Sequence, residues 1–220
     1  MTAELKELAT VQMGLAFRAR PEPEKGGNTL VIQMRDLTEG NRLDVRHLLT
    51  VQLNDVNAHH FVRRKDLIFR SRGKTTTTAL IDAEPERTVV AAPLLRIRVA
   101  SGKVLPEYLL WFINQPLSQA FLHRRATGTA MVTIGKSVLE ALEISLPDME
   151  TQKRIAAIAA LSEREQRLMR TLAENKKRLA DGILMRLARE SEANRKQREL
   201  AVTQSKGRKL APFAAKKEAP

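Results

Sequence analysis

The sequence contains no cysteine. That excludes a disulfide framework and any thiolate metal site, and it fits a reducing compartment. Aromatic residues make up only 4% of the chain, with one tryptophan and one tyrosine. A base-stacking platform for single strands needs more than that. No apolar run approaches the ~18 residues of a membrane span, and the opening Met1-Thr-Ala-Glu-Leu-Lys-Glu-Leu lacks the apolar centre of a signal peptide. A soluble, cytoplasmic protein without membrane contact is expected. Catalytic signatures are missing as well. Neither Gly-x-x-x-x-Gly-Lys-Ser/Thr nor Gly-x-Gly-x-x-Gly is present, so no phosphate-cradling loop can be drawn. Gly-x-Ser-x-Gly is absent too. No two prolines are adjacent, which excludes the Asn/Asp-Pro-Pro-aromatic tetrapeptide of amino-methylating DNA enzymes. Pro147-Asp148 and Glu174-Asn-Lys176 imitate a nuclease carboxylate pattern, but the second piece falls inside an expected helix. The chain is therefore expected to be no enzyme and to hold neither cofactor nor metal.

What the chain has is positive charge. Its 220 residues carry 38 lysines and arginines against 25 acids, a formal net charge of +13. Such an excess favours a polyanionic partner through counterion release, most often nucleic acid. Part of the excess lies at the end of the chain (Lys196, Arg198, Lys206, Arg208, Lys209, Lys216, Lys217). With few core-forming residues there, 200–220 is expected to be a disordered basic tail that touches DNA without sequence preference.

Periodicity divides the rest at one junction. Leu142, Ile144 and Leu146 alternate as in a half-buried strand, and Pro147 ends it. Asp148 is placed to cap a helix, with Glu150 near its positive end. An α+β domain of mixed α/β type is thus expected over 1–147, followed by one long coiled-coil-type helix over 148–199. Within the domain, Leu5, Leu8 and Ala9 predict a short amphipathic turn running into a strand at Val11–Met13. Thr29–Met34 predicts a strand, Glu39–Asn41 a turn, and Arg46–Val56 either an edge strand or an irregular segment. Thr88–Val99 predicts two strands divided by Pro93. Leu105–Leu122 predicts a helix divided by Pro116, with Tyr108 and Trp111 in the core. His59 and His60, read as strand neighbours facing opposite ways, make a poor metal pair.

Two basic loops leave these elements. Asp66–Gly73 predicts a strand carrying Arg70, with Arg72, Lys74 and Thr75 following in a loop of cations and hydroxyls. A second loop holds Arg124, Arg125 and Thr129. Such side chains donate to phosphate oxygens, and a bidentate arginine can read guanine. Arg35 and Lys136 are candidate neighbours. Along the long helix Leu161, Leu168, Leu172 and Leu179 form a three-four seam with Asn175 at one position. Ile183 and Leu187 continue it. A stripe of that kind needs a partner helix, and a seam asparagine can fix the register.

Four stretches together resemble the specificity (S) subunits of type I DNA restriction–modification systems. They are Leu5-Lys-Glu-Leu-Ala-Thr-Val with Gly14 and Phe17, Asp66-Leu-Ile-Phe-Arg-Ser-Arg-Gly73, Leu105-Pro-Glu-Tyr-Leu-Leu-Trp-Phe-Ile-Asn114, and Ile144-Ser-Leu-Pro-Asp-Met-Glu-Thr-Gln-Lys-Arg-Ile155. The last resembles a strand–proline–helix entry that usually ends Glu-Gln-Lys-Arg-Ile, with Thr151 here in place of the glutamate. The resemblance implies a target-recognition domain followed by a spacer helix. It also implies double-stranded DNA and methyltransferase (M) subunits as partners, with a restriction (R) subunit as a further candidate. A full subunit carries two such domains and two helices. This sequence shows one of each and no internal repeat, so the expectation is a half-subunit that pairs as a homodimer through its helix. The alternatives are a target-recognition fragment of a fused methyltransferase–nuclease and a general basic nucleic-acid scaffold.

Overall fold

The computed structural model describes residues 1–38, 42–73, 76–128 and 131–208, and of 193, 194 and 200–208 only the backbone. The chain divides into two units, Met1–Arg164 and Glu165–Pro220. In the first unit the order is β1 (Thr2–Glu4), α1 (Leu5–Leu8), β2 (Ala9–Met13), β3 (Thr29–Ile32), β4 (Leu37–Thr38) and β5 (Arg42–Leu43). Then come β6 (Leu49–Val51), β7 (Leu67–Arg70), β8 (Thr78–Leu80), β9 (Thr88–Val90) and β10 (Leu94–Val99). Helices α2 (Pro106–Ile113), α3 (Pro116–Arg124) and α4 (Lys136–Glu140), strand β11 (Glu143–Ser145) and the start of α5 (Met149–Arg208) complete it. This is the mixed α/β fold with a long final helix that the sequence predicts.

The centre is a four-stranded antiparallel sheet in the order β2-β10-β7-β8. Strand alternation sends side chains to two different cores. Leu67 and Phe69 of β7, Leu95 and Ile97 of β10 and Val11 of β2 pack with Leu5, Leu109, Ile113 and Ile144. Ile68 and Leu94 face the other way, onto Ile32, Leu37 and Val62. A second sheet, β6-β3-β9, pairs β3 with β6 antiparallel and with β9 parallel. Its β6 is an edge strand, one of the two possibilities the sequence left open for 46–56. Burying each large aliphatic side chain here contributes about 1.5–3 kcal/mol.

The second face of the central sheet also buries charge. The Asp66 carboxylate is almost fully covered. It accepts from Arg98 Nε at 2.7 Å and Nη2 at 2.6 Å, and from the Arg63 backbone N–H at 2.8 Å. Arg96 lies alongside, donating to the carbonyls of His59 and Phe61 and to Gln12 Oε1. Burial above all, and then the Arg98 charge, lowers the Arg96 pKa from its ordinary value.

The junction forms as expected. β11 pairs antiparallel with β1, and α5 begins two residues after Pro147. The Thr151 N–H donates to Asp148 Oδ1 at 2.9 Å and its hydroxyl to Oδ2 at 2.8 Å, so threonine closes the cap from the position the glutamate usually fills. These bonds, the backbone one first, hold the Asp148 carboxyl below the usual carboxylate range. The cap therefore stabilises the helix at neutral pH, and its contribution is lost as pH falls through that lowered pKa.

Gln152 is wholly buried. Its Oε1 accepts the Leu105 N–H at 2.9 Å, while Nε2 donates to the carbonyls of Lys103 and Pro147, both at 2.9 Å. One side chain thus satisfies three backbone groups from the helix entry and the approach to α2. Gln152→Leu would leave all three without it, at a cost of about 3 kcal/mol. Thermal unfolding should show a clear drop in Tm, and an unchanged midpoint would remove this clamp from the account.

Several expectations need correction. Leu109, Phe112, Ile113 and Leu117 recur at helical spacing in the sequence, but α3 restarts at Pro116 in a new phase and leaves Leu117 exposed. His59 and His60 are not on a strand. They share a 3-10 turn, Ala58–His60, with ring centroids 4.2 Å apart. Among the described residues no group of three or more His, Asp or Glu is placed to hold a metal. Helix α5 runs to Arg208, past the end expected near Glu199, because Leu200–Gln204 contain no helix breaker. The expected turn at Glu39–Asn41 and the remainder of the expected tail, 209–220, lie outside the described residues. No described helix is long and apolar enough to cross a membrane.

Candidate nucleic-acid interface

The first basic loop leaves the end of β7 and the second the end of α3, and backbone bonds join them. After β7 the Ser71 carbonyl accepts the Ile134 N–H at 2.7 Å, Arg72 forms a bridge with Thr133, and the Gly73 N–H donates to the Val132 carbonyl at 3.1 Å. Thr127 in turn bridges Thr133. Residues 71–73, Thr127 and 132–134 therefore form one small ladder. Glycine allows its turns: Gly73 has φ +124° and Gly128 φ +89°, and a Cβ at Gly128 would come within 2.5 Å of the Met131 carbonyl oxygen.

Around this ladder the predicted cations take different roles. Arg72 is exposed beside its glycine. Arg124 and Arg125 end α3, both exposed, and the Arg125 guanidinium lies 3.9 Å over the Phe121 ring. Lys136 opens α4 and pairs with Glu140 at 3.5 Å, yet keeps half its side chain exposed. Arg35 sits on the 3-10 turn Met34–Asp36, exposed, 3.8 Å from the Asp36 carboxylate. Asp36 is buried, whereas the Lys136–Glu140 pair is partly exposed, and pairs of that kind are weak and can be exchanged for a phosphate at little cost. Arg70 differs from the rest. It is half-buried, and its Nη2 donates to the Met34 carbonyl at 2.8 Å and to the Leu37 carbonyl. Lys74, Thr75 and Thr129 lie outside the described residues.

Sequence reasoning missed the ties beneath the loops. The Thr76 hydroxyl donates to Gln119 Oε1 at 2.5 Å and lies 3.2 Å from His123 Nε2, so the loop after β7 is fastened to α3. Asn114 pairs with both the N–H and the carbonyl of Thr78, each at 3.0 Å. The one local signal was the helical spacing of Gln119 and His123 on α3; Asn114, just past the end of α2, gave none.

On α5 the seam residues Leu161, Leu168, Leu172 and Leu179 are between 54 and 66% exposed, and Ile183 and Leu187 are exposed too. The Asn175 amide oxygen accepts from Arg178 at 2.5 Å. An apolar stripe left open to water marks an association surface.

An α+β domain thus carries exposed cations beside a ladder of loop segments and is continued by a helix with an open apolar stripe. The comparisons with known proteins name its kind. The family model for the type I restriction modification DNA specificity domain matches residues 1–173, and the chain belongs to that family. No curated protein matches the sequence. Among solved structures, a chain from a study of complex assembly and conformational transition of the type I R-M system superposes with TM-score 0.58 at 18% identity, over 80% of this chain and 41% of that one. The HsdS subunit from Thermoanaerobacter tengcongensis gives 0.53 at 18%, over 76% and 37%. The S subunit from M. genitalium gives 0.50 at 15%, over 80% and 42%. At such identities the likeness concerns the fold. The chain spans about two fifths of the length of the solved proteins it matches.

Proposed function

We propose that this chain is a non-catalytic DNA-recognition subunit that reads one half of a bipartite target and directs methyltransferase subunits to it. In this reading 1–147 is the target-recognition domain, 148–199 the spacer and pairing stretch of the long helix, and 200–220, including the end of α5 at Arg208, a basic extension that adds sequence-independent affinity. Two copies associate through the stripe of Leu161, Leu168, Leu172, Asn175 and Leu179. A restriction subunit joins through the methyltransferase assembly. The observation that carries the reading is the single ladder uniting the Arg72 and Arg124–Gly128 loops, in a chain of the DNA specificity domain family. Two cation-bearing loops far apart in sequence are joined by backbone bonds, and such cations can serve phosphate positioning and base reading alike.

Arg72→Ala should lower preference for the cognate duplex by about 1–3 kcal/mol if a bidentate base contact is lost. Competition between cognate and scrambled duplexes at fixed salt measures this. Unchanged discrimination in Arg72→Ala and in Arg124→Ala alike would take the ladder out of the readout. Equally tight binding to RNA and scrambled DNA by the unaltered chain would favour the general scaffold reading.

A further inference from the structure

Arg70 was expected among the base-contacting residues, and the structure gives it another task. It ends β7 on the same face as Ile68, two residues earlier, and so points toward the smaller core rather than the loop rim. There its Nη2 donates to two carbonyls, of Met34, the first residue of the 3-10 turn carrying Arg35, and of Leu37, just past its end. The turn is closed independently by the Gln33 N–H donating to Asp36 Oδ2 at 2.7 Å. The residues immediately after Arg70 are fixed from the other side. The Ser71 hydroxyl donates to the Pro93 carbonyl, and the Ser71 carbonyl accepts from Ile134. Arg72 then bridges Thr133. The Arg70 Nε is buried without a hydrogen-bond partner, and the bonds of Nη2 are the ones that tie this side chain to backbone.

We infer that Arg70 is a positioning residue: it locks the Arg35 turn to the strand end that presents Arg72, so that two exposed cations meet DNA at one fixed spacing. The inference rests on the proposed recognition role and adds that specificity depends on this spacing, not on contact between Arg70 and DNA. Arg35 and Arg72 should therefore behave as a coupled pair, and Arg70 should be the source of the coupling.

A double-mutant cycle tests it, using the full chain and a duplex that the chain itself enriches from a randomised pool, with a scrambled duplex as control. In the wild-type background, Arg35→Ala and Arg72→Ala should each weaken cognate binding. Their combination should depart from the product of the single losses by about fivefold, the scale of pairs that share one element. With Arg70→Met in the background the single losses should multiply to within about twofold. Scrambled-duplex affinity and the salt slope should be unchanged by Arg70→Met, because no phosphate contact is removed. If Arg70→Met fails to fold, the wild-type cycle still decides, since independent losses there overturn the inference. A flatter salt slope in Arg70→Met, or coupling that survives it, would also overturn it and leave the recognition reading standing. If neither single substitution affects cognate binding, the inference falls alone, whereas a chain that enriches no duplex from the pool would overturn the recognition reading.

Discussion

Replacing Leu168 and Leu172 together by aspartate should turn a paired assembly into single copies while the recognition domain stays folded. Both leucines are more than half exposed, one turn apart on the same face of α5. The described chain offers their stripe no cover, and a second copy of the helix supplies matching leucines at the same spacing. Each aspartate would place an unpartnered charge in an apolar seam and cost several kcal/mol, felt twice across a two-fold interface. The cores of the domain draw on residues up to Leu146 and Ile155, so neither substitution touches them. Light scattering, alone and with methyltransferase subunits, should report two copies of the wild type and one of the variant. A single wild-type copy in both conditions would contradict pairing.

Asp66→Asn should be the most damaging single change in the domain. The carboxylate receives both Arg98 donors and the Arg63 N–H, and Arg96 Nε, which has no hydrogen-bond partner, lies 4.0 Å from it. Without the negative charge, two arginines would share one covered sheet face with nothing to balance them. Breaking a buried ion pair by removing one partner costs about 3–5 kcal/mol. For a chain of this size that corresponds to a fall in Tm of roughly 10 °C. Calorimetry on the intact chain measures it. An Asp66→Asn variant that melts with the wild type would show that the surrounding carbonyls alone hold the arginines.

The elements best legible in the sequence are those whose signals are local. Pro147 and Asp148 mark the end of β11 and the start of α5 because a missing N–H and a capping carboxylate act within a few residues. Pro116 likewise divides α2 from α3, although its effect on phase, and hence on Leu117, went unread. Strand β1 was not visible, because three residues such as Thr2–Glu4 carry no period; it exists through pairing with β11, more than a hundred residues away. The roles of the arginines were legible only in part. Charge and loop position single out Arg72 and Arg124, but whether a cation faces water or a carbonyl depends on strand register. The phase shared with Ile68 already places Arg70 inward, and that signal was available. The partnership of Asp66 with Arg98 was not, since it requires the β7–β10 pairing that sets Leu67 opposite Ile97. Gln152 reads as a solvated helix residue until Lys103, Leu105 and Pro147 are seen around it.

The central proposal is that this recognition domain, paired two-fold through α5 with a second copy, reads an interrupted palindrome. Two identical domains held apart by paired helices would meet DNA about two turns apart, each turn ~34 Å. Enrichment from a randomised duplex pool by the full chain with its methyltransferase subunits is the most direct measurement. The account predicts two inverted copies of one short block, separated by a spacer of fixed length and free sequence. A single uninterrupted block, or two unrelated blocks, would contradict it.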